Sequence, residues 1–453
     1  MTIEQFEDKN LAHYSYAILS VFSHEIVLID PSRDIRAYLD FAEKNRAKII
    51  GVIETHPHAD FVSGHLELYK ETGAVIYCSS LLAADYPHEF FDEGDSIEFG
   101  KIKLKALNTP GHSPDSISIL VEYEGKDTAV FTGDTLFIGD CGRPDLRETT
   151  GNLSSKREKL AHQMFHSLRD KLMTLKDEVL VYPTHGAGTL CGRVMSKASS
   201  STIGAEKMGN WALQQMEEDD FAKALTSELP FIPKYFSFDV ELNKKGAENL
   251  SEAIKKVKTD RLINSMQDWE PLKETISIVD TRPVEIFKNG HLPNSINIIA
   301  GEKFETWLGS IISPGEPFYL AAENFQILNN LLFRIAKIGY EGFIKEGFIL
   351  NYGNKQSPKI NMEDFKAYPS NYTIIDVRNK PEVKERSIFD SAVNLPLSEL
   401  RERLNEIPSD KPIVVHCAGG SRSAAGSSII EEYFPDNHVY DLSKSIKDFP
   451  NKI

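Results

Sequence analysis

Through the first half of the chain, short apolar runs alternate with stretches of helical spacing. Residues 16–22 and 25–30 carry the alternating or unbroken apolar pattern of strands. Residues 34–45 place Ile35, Leu39 and Ala42 three to four apart, as a helix does. The run Ile49-Ile50-Gly51-Val52-Ile53 predicts another strand, and residues 61–72 suit a helix. Further strands are expected at 75–78, 103–107, 117–123, 128–131 and 179–182. Ser155-Lys-Arg-Glu158 has capping-box form and opens a helix with Leu160, Met164, Leu168 and Leu172 on one face. His162 and His166 lie four apart on that helix, where an exposed polar face is the simpler reading than a metal site.

The chemistry-bearing residues sit where these strands end. The 49–53 run leads into Glu54-Thr-His56-Pro-His58-Ala-Asp60-Phe61. His-x-His-x-Asp at the mouth of a strand is a metal-ligand spacing, because alternate loop residues can turn inward together. Alone it could be a solvated loop. Yet His112, Asp134 and His185 also each follow an apolar strand and lie beside Gly or Pro. Four ligand-type residues at strand ends point to one shared edge.

Thr-His-x-His-x-Asp, then Gly-His, Gly-Asp and a final His resemble the metallo-β-lactamase superfamily across about residues 1–250. The resemblance implies an αββα sandwich with the metal at one edge. Two-metal members carry a second His directly after the Asp, and here that position is Phe61, so the second metal site is expected to be crippled. His56, His112 and Asp134 remain. Two imidazoles and one carboxylate leave open positions that suit non-haem Fe(II) and O₂, with hydrolytic zinc as the alternative. The stretch Gly133-Asp-Thr-Leu-Phe-Ile-Gly-Asp-Cys141-Gly142-Arg143 resembles the persulfide dioxygenase branch. That resemblance implies one Fe(II) per chain on His56, His112 and Asp134. It puts Arg143 near the anionic end of the substrate, against the plainer reading of a salt bridge to Asp140 or Asp145. His58, Asp60 and His185 would surround the metal. Cys191 would be either a sulfur-relay thiol or a small buried residue.

The second half repeats itself. Ile278-Val-Asp280-Thr-Arg282 parallels Ile375-Asp376-Val-Arg378 at an offset of 376 − 280 = 96 residues, and Phe318-Tyr-Leu-Ala321 falls opposite Val414-Val-His-Cys417 at the same offset. Two anchors at one offset argue for duplicated open α/β units, 258–354 and 360–453, joined by a polar linker. Both resemble rhodanese domains through Asp-x-Arg and, in the first, Gly-His-Leu-Pro. The second carries Cys417-Ala-Gly419-Gly420-Ser421-Arg422 between an apolar strand and a helix expected near Ser423. Small residues there let backbone N–H groups form an anion nest for a thiolate or persulfide. Arg422 could fork onto sulfite or thiosulfate oxygens. The first unit has Ala321 and Gln326 at the equivalent positions and reads as inactive. In the second, Leu442-Ser-Lys-Ser-Ile-Lys stands where the family has a glycine-rich turn.

Composition narrows the context. A chain of 453 residues predicts about three domains. Its net charge of −16 argues against nucleic acid or an anionic membrane surface. No apolar run approaches the ~20 residues of a membrane span. Four dispersed cysteines and an N-terminus without basic and apolar regions point to a reducing cytoplasm. The expected architecture is therefore a multidomain α/β protein: an αββα sandwich followed by two rhodanese-like domains. The expected function is a fused persulfide dioxygenase and sulfurtransferase acting on a small thiol persulfide, O₂ and sulfite or thiosulfate, with a homo-oligomer expected. Two alternatives stand beside it: a zinc thioester hydrolase of the glyoxalase II type, and a non-catalytic persulfide sensor.

Overall fold

The structure is a computed structural model, and it describes residues 1–146, 153–192, 195–272 and 275–449. The chain divides into two compact units: Met1–Glu252 with Ala336–Gly339, and Ala253–Ile335 with Tyr340–Ile453.

In the first unit, two six-stranded sheets pack face to face. One runs β1 to β6 in order: Thr2–Asp8, His13–Ser20, Glu25–Ile29, Lys48–Ile53, Val75–Cys78 and Glu89–Phe90. The other has the order β12-β11-β10-β9-β8-β7, with β7 to β12 at Ser96–Phe99, Ile102–Asn108, Ile117–Tyr123, Lys126–Gly133, Leu180–Pro183 and Ser201–Thr202. Side-chain alternation sends each strand to two cores. Tyr16, Ile18, Val27, Ile29 and Ile53 meet Leu104, Ile119, Val121 and Phe131 between the sheets. Ala17, Leu28 and Val52 point the other way, under a helix at Arg36–Asn45 that contributes Tyr38 and Ala42. On the outer face of the second sheet, Val130 and Val181 pack under Ala161 and Met164 of a helix at Leu153–His166, joined by Leu168 and Phe221. The result is a helix–sheet–sheet–helix sandwich, as expected. Strand β1 escapes prediction because its TIEQFED sequence is mostly exposed or half-buried and reads as polar.

The second unit holds two all-parallel sheets. The first has β13 to β17 at Arg261–Ile263, Ser277–Asp280, Ser295–Asn297, Phe318–Ala322 and Ile344–Leu350, in the order β13-β17-β16-β14-β15. The second has β18 to β21 at Thr373–Asp376, Val393–Asn394, Ile413–His416 and Val439–Asp441, in the order β19-β18-β20-β21. Matching β14–β17 to β18–β21 gives the same strand order, with β13 an added edge. The hydrogen bonds repeat too. Arg282 pairs with Asp280 at 2.6 Å as Arg378 pairs with Asp376 at 2.5 Å. Asn297 donates to the carbonyls of Asp280 and Arg282, and Asn394 donates to those of Asp376 and Arg378. Each pair is buried, so its loss would strand a carboxylate at a cost of about 3–5 kcal/mol.

Candidate active sites

The ligand-type residues meet at one edge of the sandwich because each follows a strand that ends there. His56 follows β4, His112 follows β8, Asp134 follows β10 and His185 follows β11. All four are buried. Hydrogen bonds fix the rings. The Thr55 hydroxyl donates to Asp30 at 2.8 Å, so it accepts from His56 Nδ1 at 3.0 Å. His112 Nδ1 donates to the Arg143 carbonyl at 2.9 Å. Both rings therefore present a bare Nε2, at 3.9 and 3.5 Å from the same Asp134 oxygen. Neither Asp134 oxygen has a hydrogen-bond partner. Three buried acceptor atoms facing one another with no proton between them repel unless a cation lies among them. Ligands ~2.0–2.1 Å from a metal lie roughly 3.3 Å apart at the tetrahedral angle, so these separations suit a shared ion. The arrangement offers the ion two imidazoles and one carboxylate.

A glycine makes the closure fit. A Cβ on Gly142 would lie 1.9 Å from the Asp134 carbonyl oxygen and 3.1 Å from His112 Nδ1. That is a packing reason for Gly in Cys141-Gly142-Arg143.

The surrounding residues divide differently from their spacing. His58 lies 3.1 Å from Asp30 and 3.7 Å from Glu54. Burial, opposed by His58, pushes Glu54 up to about 8. Asp60 lies 3.3 Å from His185 Nε2, which is also 3.6 Å from the other Asp134 oxygen. Cys191 joins them: ligand atoms of Asp60, His185 and Cys191 all lie within 4.8 Å of one another. Loss of a ligand at position 61 therefore does not clear this side of the pocket. Burial, then the Asp60 and Asp134 charges, push the Cys191 thiol up. Phe61 itself is buried, stacked on His58 with ring centroids 4.3 Å apart and tilted against His13 at 3.8 Å. Cys78 is buried in β5, as packing. His162 and His166 both pair with Glu218 on the outer helix, away from the ligand edge.

Arg143 makes the salt bridge to Asp145. Its guanidinium is 2.6 and 2.7 Å from the two Asp145 oxygens and donates to the carbonyls of Leu190 and Pro230. Its own N–H donates to the Cys191 carbonyl. Arg143 thus ties the loop that orients His112 to the loop that carries Cys191.

Cys417 directly follows β20, 1% exposed, and the Gly420 N–H donates to its sulfur at 3.1 Å. Ser423 Oγ lies 3.6 Å from the same sulfur. Gly420 has φ +107° and starts the helix Ser421–Tyr433, so the helix begins two residues before the expected Ser423. A Cβ on Gly420 would meet Ser443 at 3.0 Å, whereas one on Gly419 would meet nothing within 4 Å. Ser443, φ +48°, occupies the turn where the family's glycine is missing. Arg422 does not point to an open anion site. It holds Glu382 in a bidentate pair at 2.6 and 2.8 Å. Despite burial, that pair raises the Arg422 pKa. Glu382 was not legible as a partner. It follows the Asp376–Arg378 strand end and lies 40 positions before Arg422.

Residues 11–185 match the metallo-beta-lactamase superfamily, and residues 361–452 match the rhodanese-like domain. A solved metallo-beta-lactamase from Staphylococcus aureus subsp. aureus COL is 31% identical; the match covers 77% of this chain and 99% of that one, with a TM-score of 0.68. The chain belongs to the metallo-beta-lactamase superfamily. In this metallo-beta-lactamase-type chain the C-terminal sheet, with Cys417, is a rhodanese-like domain. Among curated relatives, the mitochondrial persulfide dioxygenase ETHE1 of Mus musculus is 30% identical over 184 residues, 40% of this chain and 66% of that protein. The cytoplasmic hydroxyacylglutathione hydrolase of Arabidopsis thaliana is 29% identical over 265 residues, 58% of this chain and 94% of that protein. These relatives support an enzyme and a metal-binding site without choosing between oxygenase and hydrolase. Among the described residues, no helix is long and apolar enough to cross a membrane.

Proposed function

We propose that the chain is an Fe(II)-dependent persulfide dioxygenase joined to a sulfurtransferase, acting in persulfide and sulfide detoxification. The observation that carries the reading is the pairing of two sites. One is a buried two-histidine, one-carboxylate set, and the other is a cysteine cradled at a helix start. The middle sheet, with the strand order and buried Asp–Arg pair of the C-terminal domain, is a second rhodanese-like copy without its nucleophile.

His56, His112 and Asp134 would hold one Fe(II), which when bound would supply the O₂ chemistry on the persulfide. Thr55 and the Arg143 carbonyl keep both imidazoles turned toward it. Phe61, His13 and Phe137 line this edge with ring surface and exclude water around His185 and His58. With O₂ and one water consumed, the first site yields free thiol, sulfite and two protons.

At the second site the Cys417 thiolate attacks the outer sulfur of a persulfide, R–S–SH. The bond from Cys417 Sγ to the outer sulfur forms and the persulfide S–S bond breaks, leaving R–S intact. The outer sulfur's proton passes to the leaving thiolate, giving RSH and a Cys417 persulfide anion held by the Gly420 N–H. That anion transfers its outer sulfur to sulfite, releasing thiosulfate and the Cys417 thiolate. No net redox change occurs in this half.

Phe61 favours this reading over thioester hydrolysis, since a hydrolase of the two-metal type needs a ligand there. The test is a product assay beside an oxygen trace. Cys417→Ser should still consume O₂ with a thiol persulfide, while sulfite accumulates in place of thiosulfate. Thiosulfate at the parental ratio in that variant would show that Cys417 does not perform the second step.

A further inference from the structure

The middle sheet lost its nucleophile, yet it reaches the Cys417 loop from two directions. From behind, Lys288 pairs with Asp441 at 2.8 Å and donates to Ser443 Oγ at 2.9 Å. Ser443 is the residue that backs onto Gly420. From the front, Trp307 places its ring 5.8 Å from the Arg422 guanidinium, within cation–π range. Beside Trp307 opens a cavity of about 330 Å³. Ile298, Phe304 and Trp307 of the middle sheet form one wall; Leu397, Ser421 and Ala425 of the C-terminal domain form the other. Ser421 and Ala425 lie one turn apart on the helix that the Cys417 loop starts.

We propose that the middle sheet completes the Cys417 site. It provides a subsite for the organic body of an amino-acid-derived thiol persulfide, with Trp307 as a specificity-determining residue. The inference rests on the sulfurtransferase reading above. Four observations choose this occupant over an inorganic sulfur oxyanion. The cavity has the size of a small-molecule site and is far larger than an oxyanion fills. Its walls are mainly aromatic and aliphatic. Its charged lining residues are the adjacent Glu302 and Lys303, a plus–minus pair that matches a body carrying both amine and carboxylate. The nearby Arg422 is already neutralised by Glu382, so it adds little net field for a dianion.

The experiment uses the full chain under argon, so that the O₂-dependent site is silent. Loading of Cys417 is followed by intact mass, as the gain of one sulfur atom, with glutathione persulfide and separately with thiosulfate. Trp307→Ala should raise the half-saturating glutathione persulfide concentration about threefold to tenfold, the range of one aromatic contact. Loading from thiosulfate should stay within about twofold of the parent. Trp307→Phe should recover most of the loss, because it restores a ring at the wall. Equal losses with both donors, or equal losses in the alanine and phenylalanine variants, would mean that the wall merely supports the fold and would overturn the subsite. No change with glutathione persulfide would overturn it as well. Failure of the parent to load from either donor would instead overturn the sulfurtransferase reading, and the subsite with it.

Discussion

Replacing Arg143 by Met tests whether this residue is a strut or a substrate contact. The side chain is 2% exposed and bonded to both oxygens of Asp145, itself buried. Removing one partner of such a pair leaves a buried, uncompensated carboxylate, at a cost of about 3–5 kcal/mol. The lost bonds to the Leu190 and Pro230 carbonyls add to this. The damage should reach the metal, because the Arg143 carbonyl orients His112. Loss of a partner that orients a metal-bound histidine typically lowers affinity about 10- to 100-fold. Since the full chain has two compact units, a single unfolding curve would mix them. Hydrogen exchange read on peptides of residues 1–252, together with iron retention against a chelator, isolates the first unit. Arg143→Met should speed exchange around residues 110–146 and release iron sooner. Adding Asp145→Leu should restore much of the protection, because the orphan carboxylate is gone. If Arg143→Met keeps protection and iron but raises KM for an anionic persulfide, the arginine contacts substrate and the strut account is wrong.

Three further outcomes follow from the geometry. Glu382→Gln removes the partner of Arg422, so loading of Cys417 from thiosulfate should rise several-fold; an unchanged rate would mean that Arg422 is not what limits oxyanion use. Burial lowers His416 to about 4, below the ~6.5 of an unfolded chain, so folded His416 stays neutral while the unfolded residue takes up a proton. Its contribution is full above pH 6.5 and is lost as pH falls toward 4, about 3 kcal/mol at the limit; exchange protection of peptides 413–433 should fall over that window, and less so in His416→Phe. Phe61→His places an imidazole where a ring now lies 6.5 Å from that of His185, and metal analysis should show more than one ion per chain, whereas unchanged stoichiometry would remove Phe61 as the reason for a single metal.

Strand ends were the most legible feature. His56, His112, Asp134 and His185 stand out because an apolar run stops and a Gly or Pro follows, and both signals are local. The repeated strand order was legible for a related reason: Asp280–Arg282 and Asp376–Arg378 are buried pairs that fix the same strand end in each sheet. What stayed hidden depends on contacts between distant segments. Nothing near Arg422 identifies Glu382, and nothing near Cys191 identifies Asp60. Arg143 illustrates the limit from the other side, since its motif suggests a role but not which of its neighbours takes the guanidinium. That the middle sheet carries Ala321 and Gln326 where the C-terminal sheet carries Cys417 and Arg422 was legible from the 96-residue offset. Its Trp307 wall was not, because the cavity forms only when residues near 300 and near 420 fold against each other. Short polar edges such as β1 and β12 lacked any apolar period to read.

The central claim is that the buried His56–His112–Asp134 set holds an iron that uses O₂ on a persulfide. It is tested most directly by preparing the chain anaerobically with Fe(II) or with Zn(II), then following oxygen uptake on glutathione persulfide and cleavage of a glutathione thioester side by side. The account predicts about one bound iron per chain, oxygen uptake with sulfite formed by the iron protein alone, and loss of both iron and uptake in Asp134→Ala. Thioester cleavage by the zinc protein, with no oxygen uptake by the iron protein, would contradict it.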